Sequence, residues 1–246
     1  MKTIIWKIFN MVAGSASIFG FVYLFFSDEK TGVLALLFFS VFLLGLLVAV
    51  WVGIIGMIKK ENSNDYKKIT SFTSFETNDG IHGVYEVFKV IQSKRVFLQQ
   101  IDHNFKWSGS KMPVISSELQ EIKHLTFSDT NQYDKAVLLL KRPLKFNETA
   151  TVHFKAVTDD FDNKAQPYLD YKVNSDINVI HFRVTLKNKD ENYSKPAKLL
   201  KKPIESVIPA EYEQYGSVPF DQQSKSYQHC MTDPEIGFYY RLEWEK

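Results

Sequence analysis

The chain is poor in the residues that build covalent or metal-stabilised folds. Its 246 residues include one cysteine, Cys230. A single thiol excludes an intrachain disulfide and any zinc site made of cysteines alone, and it fits a reducing compartment. The six histidines do not occur at HxH, HExxH or Cys/His metal spacings. No metal site is therefore predicted from local pattern.

Short catalytic motifs are also missing. No GxSxG elbow, P-loop or GxGxxG fingerprint occurs. Cys230 follows His229 directly, but successive residues of a strand point to opposite faces, which disfavours a catalytic dyad. Asp159, Asp160 and Asp162 lack the glycine and glutamate of an EF-hand, so a solvated loop is favoured over a calcium site. We predict that the protein is not an enzyme and needs no cofactor; an active site without a local motif is the remaining enzymatic hypothesis.

Net charge is small, with 30 basic and 28 acidic residues. This balance excludes the strongly basic face that duplex nucleic acid requires, but it allows a small, localised anion site. Arginine is scarce, with four residues in the chain. Because arginine is the better bidentate phosphate ligand, and because exposed aromatic rings stack on bases, the predicted ligand-binding residues are Arg142, Arg183, Arg241, Trp107 and Tyr168. An ordinary structural role is the alternative for each of them.

Two long apolar runs begin the chain, at residues 4–26 and 33–58, separated by the polar hexapeptide SDEKTG. A helix needs roughly 20 apolar residues to cross a bilayer, and the second run is longer than this and carries no charge. The first run contains Lys7 and Asn10. A cleaved signal peptide is the alternative for the first run, but its apolar residues continue beyond the AGSAS stretch where cleavage would fall. The sequence thus predicts a transmembrane hairpin at residues 1–58.

Lysines orient this hairpin. Lys2 precedes the first run and Lys7 lies near its start, four lysines follow the second run within residues 59–68, and the hexapeptide between the runs holds one. The positive-inside rule places both termini in the cytoplasm. The predicted location is therefore a membrane crossed twice, which in a bacterium is the inner membrane, with the hexapeptide as an external turn.

Small residues recur at four-residue spacing within both runs. They are Gly45, Ala49 and Gly53 in the second run, and the pairs Ala13 with Ser17 and Ala16 with Gly20 in the first. Such rows let helices approach closely in lipid. They pack either the two helices of one hairpin or neighbouring protomers of a homo-oligomer.

The remaining sequence reads as a basic juxtamembrane linker at 59–79 followed by a β-rich domain at 80–246. Alternating or buried apolar runs predict strands, the clearest of them at 83–92, 95–101, 135–141, 150–157, 178–187 and 237–245. Residues 114–123 are predicted to form one short helix. The basic run 195–202 is either a solvated loop or a segment lying on anionic lipid, and His153 and His181 are predicted to be surface residues. The expected fold class is a membrane-anchored all-β protein, with a β-sandwich or small β-barrel.

The predicted plan is a two-span membrane hairpin with both termini in the cytoplasm, followed by a β domain without catalytic motifs. It resembles the two-transmembrane, β-strand-rich effectors of bacterial antiphage signalling. The resemblance covers residues about 4–58 as spans and 80–246 as the β domain, and no short motif carries it. It implies that the β domain senses a cyclic oligonucleotide, and that the spans then assemble and disrupt the inner membrane. No binding residue of that family can be transferred to a position in this chain.

Two functional hypotheses from different classes follow. In the first, a nucleotide or infection signal binds the β domain and drives oligomerisation of the spans. In the second, the chain is a membrane-anchored adaptor whose β-sandwich binds a protein partner and forms no pore. The predicted partners are the lipid bilayer, further copies of the chain and a cyclic oligonucleotide, and duplex nucleic acid is excluded.

Overall fold

A computed structural model describes residue 14 and residues 29–61, 64–127, 133–204 and 211–246. The chain divides into two compact units, Met1–Ser63 and Asn64–Lys246. The first predicted span, with Ala13, Ser17 and Gly20, lies outside the described residues.

The described part of the first unit is one long helix, α1, at Glu29–Glu61. Its segment Phe39–Met57 is long and apolar enough to cross a membrane, with a mean hydropathy of 2.5 and no share buried within the structure. Gly45, Ala49 and Gly53 lie exposed along it. The helix already includes residues 29–32, so these four residues are helical and the predicted turn is wrong for them.

The described part of the second unit contains thirteen strands. Their bounds are β1 Tyr66–Thr77, β2 His82–Ser93, β3 Phe97–Phe105, β4 Val114–Ser116, β5 Glu121–Thr126, β6 Asp134–Lys145, β7 Thr149–Asp159, β8 Tyr168–Val173, β9 Val179–Leu186, β10 Ala197–Pro203, β11 Glu213–Val218, β12 Ser226–Thr232 and β13 Phe238–Glu243. β-branched and aromatic residues at alternate positions favour these strands, since such side chains pack well on a pleated surface.

The strands form three open sheets. A six-stranded sheet has the order β12-β9-β1-β2-β7-β4, a four-stranded sheet the order β11-β10-β13-β8, and a three-stranded sheet the order β3-β6-β5. Strand β1 is parallel to β9 and antiparallel to β2. None of these sheets closes on itself over the described residues, so the architecture is a sandwich and not the alternative barrel.

One face of the six-stranded sheet carries both parts of the core. Near β9 and β12 it packs against the four-stranded sheet, in a cluster that includes Phe182, Tyr227 and Leu242. Near β2 and β7 it packs against the three-stranded sheet, in a cluster that includes Phe154 and Leu138. The two small sheets therefore lie side by side over one larger sheet, and a seam runs between them.

Several local predictions are wrong. Residues 114–123 hold β4, a turn and the start of β5 instead of a helix, and most of the predicted linker 59–79 is β1. Residues 197–202 of the basic run 195–202 belong to β10, where Ala197, Leu199 and Leu200 are buried. His153 is fully buried: its ring stacks on Phe88 with centroids 4.4 Å apart. Its Nδ1 accepts a hydrogen bond from the Glu118 N–H at 2.9 Å.

A candidate ligand pocket lined by tyrosines

A cleft of about 370 Å³ opens beside the outer face of the four-stranded sheet. Its size falls within the range of sites that hold small molecules, roughly 300–1,000 Å³. Its lining is aromatic and basic, and consists of Lys106, Tyr133, Tyr168, Asp170, Lys202, Pro203, Ile204, Tyr212, Tyr239 and Arg241. We call this cleft the tyrosine pocket.

Strand alternation explains why these residues meet. Leu169, Tyr171 and Leu242 point into the core, so the intervening residues of β8 and β13 point outward. Among those, Asp170 lies directly opposite Arg241 in the antiparallel ladder. Lys202 of β10 lies opposite Tyr239 on the other side of β13. Three adjacent strands thus supply one wall of the pocket.

Arg241 forms the centre of that wall. Its Nε and Nη2 donate to the two carboxylate oxygens of Asp170 at 2.7 and 2.8 Å. The guanidinium carbon lies 3.6 Å from the ring centroid of Tyr168 and 3.9 Å from that of Tyr212. Burial acts to lower the pKa of Arg241, but the hydrogen bonds and charge of Asp170 outweigh it and raise this pKa. Arg241 is therefore permanently charged and already engaged.

The hydroxyls of Tyr133 and Tyr212 remain protonated. Burial raises the pKa of Tyr133 and of Tyr212 well above the usual value, and the charge of Asp170 adds to the effect on both. The Tyr212 hydroxyl donates to Asp170 Oδ2 at 3.2 Å. Neutral phenols present both a donor and a flat ring face to a ligand.

Lys202 supplies positive charge that no carboxylate takes up within the described part of the chain. Its Nζ lies 4.5 Å from the ring centroid of Tyr212 and 5.3 Å from that of Tyr239. With Lys106 and Arg241 it outnumbers Asp170, the acidic residue of the lining. Cations beside ring faces suit a planar molecule that carries negative charge.

Of the five ligand-binding residues predicted from sequence, the pocket unites Arg241 and Tyr168. Arg142 pairs instead with Glu148, at 2.9 Å on an exposed surface. Trp107 donates from its ring nitrogen to the Lys111 carbonyl at 2.9 Å, within its own loop. Arg183 projects from the outer face of the six-stranded sheet, opposite Ser74 of β1. Those three residues do not meet in one site.

Eight lining residues were missed: Lys106, Tyr133, Asp170, Lys202, Pro203, Ile204, Tyr212 and Tyr239. Part of the signal was present, because YLDYKV alternates polar and apolar side chains as a strand does. Recognising that strand would have placed Asp170 and Tyr168 on one face. Nothing in the local sequence indicated that Tyr133 or Lys106 would join them.

Comparisons with known proteins show neither family nor function. No family model and no curated protein matches the chain. An M1 zinc metallopeptidase from Deinococcus radiodurans is 10% identical, with a TM-score of 0.34 over 73% of this chain and 42% of the peptidase. A putative protease from Parabacteroides distasonis is 8% identical, with a TM-score of 0.39 over 73% of this chain and 40% of the protease. A baculovirus protein is 10% identical, with a TM-score of 0.34 over 75% of this chain and 99% of the viral protein. The chain spans less than half the length of the two bacterial proteins, and at these scores none of the three supports a functional argument.

Proposed function

We propose that the protein is a membrane-anchored, non-enzymatic effector whose β domain binds a small anionic molecule with planar rings in the tyrosine pocket. The observation that carries this proposal is the combination of four tyrosines with two lysines around a cleft of about 370 Å³. Rings stack on nucleobases and lysines neutralise phosphates. A cyclic oligonucleotide has this chemistry.

The membrane part of the proposal rests on helix α1. Its segment Phe39–Met57 has the length and hydropathy of a span, and its small residues lie on an accessible face. In the proposed mechanism two spans cross a bacterial inner membrane with both termini in the cytoplasm. Ligand binding favours association of protomers and disruption of that membrane, as part of antiphage defence. A ligand drives such a change when it binds the associated state more tightly than the free one.

The test is calorimetry on the full chain in lipid nanodiscs, with a panel of cyclic dinucleotides and trinucleotides. Lys202→Met removes a pocket cation, and we expect at least a tenfold loss of affinity, which is about 1.4 kcal/mol. Lys198→Met is the matched control, because Lys198 lies on the same face of β10 but is not part of the pocket lining. The control variant should bind like the wild type.

Two results would remove the nucleotide-sensor proposal. One is the absence of heat across the whole panel with the wild-type protein. The other is an equal loss of affinity in Lys202→Met and Lys198→Met, because binding would then reflect general surface charge. Dye entry into cells that express the protein and receive the ligand tests the membrane step separately.

A protein-binding adaptor is the second candidate, and exposed apolar residues at one sheet edge favour it. Val114 of β4 and Val157 of β7 lie opposite each other and are 69% and 43% exposed. Phe161, in the loop after β7, is 86% exposed. Edge strands with apolar side chains pair readily with other chains. Val114→Lys would abolish capture of a protein partner and leave nucleotide binding unchanged.

A further inference from the structure

A second polar cluster lies on the inner face of the six-stranded sheet, apart from the residues that line the tyrosine pocket. Ser71 and Lys89 are direct partners in the ladder between β1 and β2. Lys68 is the partner of Ile91, which is fully buried in the core. Because partners share a face, Lys68, Ser71 and Lys89 all point toward the seam between the two small sheets.

Both small sheets contribute to this cluster from across the seam. His103 comes from β3 of the three-stranded sheet, and its Nδ1 lies 2.9 Å from Lys89 Nζ. Tyr171 comes from β8 of the four-stranded sheet, and its ring centroid lies 5.8 Å from Lys68 Nζ. Lys68 also donates to the Asn174 side-chain oxygen at 3.1 Å. Three sheets therefore converge on one set of polar groups.

Buried hydrogen-bonding atoms in this cluster have no partner. His103 Nε2, Ser71 Oγ and Tyr171 Oη are all buried, and no well-formed hydrogen bond reaches any of them within the described residues. Burial raises the pKa of Tyr171 and a hydrogen-bonding interaction with Ser71 acts against this, so the two hydroxyls lie close to each other. When Lys89 donates to Nδ1, the proton of a neutral His103 ring sits on Nε2. The seam thus offers a buried N–H of His103 without an acceptor in the described chain, beside two hydroxyls that lack a well-formed hydrogen bond.

The cluster carries charge of one sign. Burial lowers the pKa of Lys89 to about 7, and the charge of Lys68 adds to this effect. Burial and the charge of Lys172 lower the pKa of Lys68, and burial with both lysines lowers that of His103. The nearby carboxylates act on tyrosines of the same region. Burial raises the pKa of Tyr66, and the charges of Asp102 and Asp65 add to this effect. Burial likewise raises the pKa of Tyr85, and the charge of Asp170 adds to it. Within the described residues no carboxylate pairs with Lys68 or Lys89.

We propose that Lys68, Lys89, His103, Ser71 and Tyr171 form a binding site for a tetrahedral oxyanion, either free phosphate or sulfate or the phosphoryl group of a larger ligand. Such an ion supplies several acceptor oxygens at once, and its charge neutralises the two lysines. Partly buried donors that converge without a carboxylate bind anions more strongly than exposed lysines do, because solvent screens them less. This site is independent of the tyrosine pocket.

The test is thermal unfolding of the full chain in nanodiscs with sulfate, at constant ionic strength set with chloride. Sulfate roughly tenfold above its Kd should raise the midpoint by about 3–6 °C. The rise should be larger at pH 6 than at pH 9, because Lys89 loses its proton between these values while sulfate keeps its charge. Phosphate and glycerol phosphate form two further arms. A rise with phosphate alone identifies a free-ion site, and a rise with both identifies a site for phosphoryl groups.

In Lys89→Met the sulfate-dependent rise in the unfolding midpoint should be lost. Lys68→Met should lose it too, and this second variant provides the test if the first does not fold. Lys67→Met is the matched control, because Lys67 lies on the same strand and pairs with Gln92, on the opposite face. It should keep the full rise. An equal rise in Lys89→Met, Lys68→Met and the wild type would overturn the proposal. Lys202→Met should retain the rise, so failure of this site and failure of the tyrosine pocket are distinguishable.

Discussion

Arg241 and Asp170 face each other across adjacent antiparallel strands and share two parallel hydrogen bonds, 2.7 and 2.8 Å long. Their side chains are 16% and 21% exposed, and the guanidinium is held between the rings of Tyr168 and Tyr212. The pair forms a rigid wall of the tyrosine pocket. Direct contact with an anionic ligand is therefore left to Lys202 and to the tyrosine hydroxyls.

Asp170→Asn tests this wall. The change leaves Arg241 partly buried without a neutralising partner, and we expect a loss of about 2 kcal/mol in the free energy of unfolding. Urea unfolding followed by tyrosine and tryptophan fluorescence measures it. Asp102→Asn is the control, because its pair with Lys135 is about half exposed and should contribute less than about 0.5 kcal/mol. Equal losses in the two variants would contradict the structural role of Asp170.

Lys89→Met tests the buried lysine through pH. The folded-state pKa of Lys89, about 7, lies below its ordinary value of 10.5. Between these values the unfolded chain holds a proton that the folded chain releases, so stability rises with pH across this window. Below pH 7 the cost of the buried charge is present in full. We expect Lys89→Met to be more stable than the wild type by about 2 kcal/mol at pH 6.

The difference between Lys89→Met and the wild type should shrink steadily as pH rises from 7 toward 10.5. Urea midpoints at pH 6, 8 and 10 follow it. His103, whose pKa is also lowered, acts in the same direction at lower pH: stability falls as pH drops below 6.5, because the unfolded chain takes up a proton that the buried ring resists. A difference between the two proteins that does not vary with pH would show that Lys89 is solvated and ordinary.

Gly45→Leu combined with Gly53→Leu tests association of the spans. Two leucines on the small-residue face of α1 hold neighbouring helices apart, and we expect loss of oligomers in bilayers and loss of toxicity on induction. Cross-linking in nanodiscs and dye entry in cells measure these effects. Trp51→Leu is the control, because residue 51 lies on the opposite side of the helix. Undiminished toxicity in the double variant would count against assembly through this face.

Alkaline phosphatase fused behind Lys246 tests the predicted orientation. The enzyme is active after export, so a cytoplasmic carboxyl terminus should give no activity. A fusion after residue 30, between the two predicted spans, should be active in the same cells. High activity behind Lys246 would place the β domain outside and exclude a sensor of cytoplasmic nucleotides.

The β domain was predictable where one face of a strand is buried. The pattern NVIHFRVTLK alternates cleanly, and β9 occupies its centre at Val179–Leu186. Strand β1 escaped notice because its buried positions are Ser71, Thr73 and Thr77. Polar residues on a buried face give no hydrophobic alternation. In β10, lysines on both sides of the buried Leu199 and Leu200 obscure the hydrophobic pattern in a similar way.

The tyrosine pocket was predictable in small part. Arg241 and Tyr168 were suggested by residue type alone. The joining of Tyr133, Lys106 and Tyr212 to them depends on packing between sheets, which no local pattern encodes. His153 shows the same limit, because a turn from a distant part of the chain covers it.

The position of β1 has a consequence for synthesis of the chain. This strand follows helix α1 closely along the chain, yet it pairs in parallel with β9, about 110 residues later. On the ribosome, β1 emerges early and must keep one edge unoccupied until β9 has left the exit tunnel. The last-made half of the protein therefore completes the sheet that the first-made strand begins. Truncated nascent chains would expose that edge.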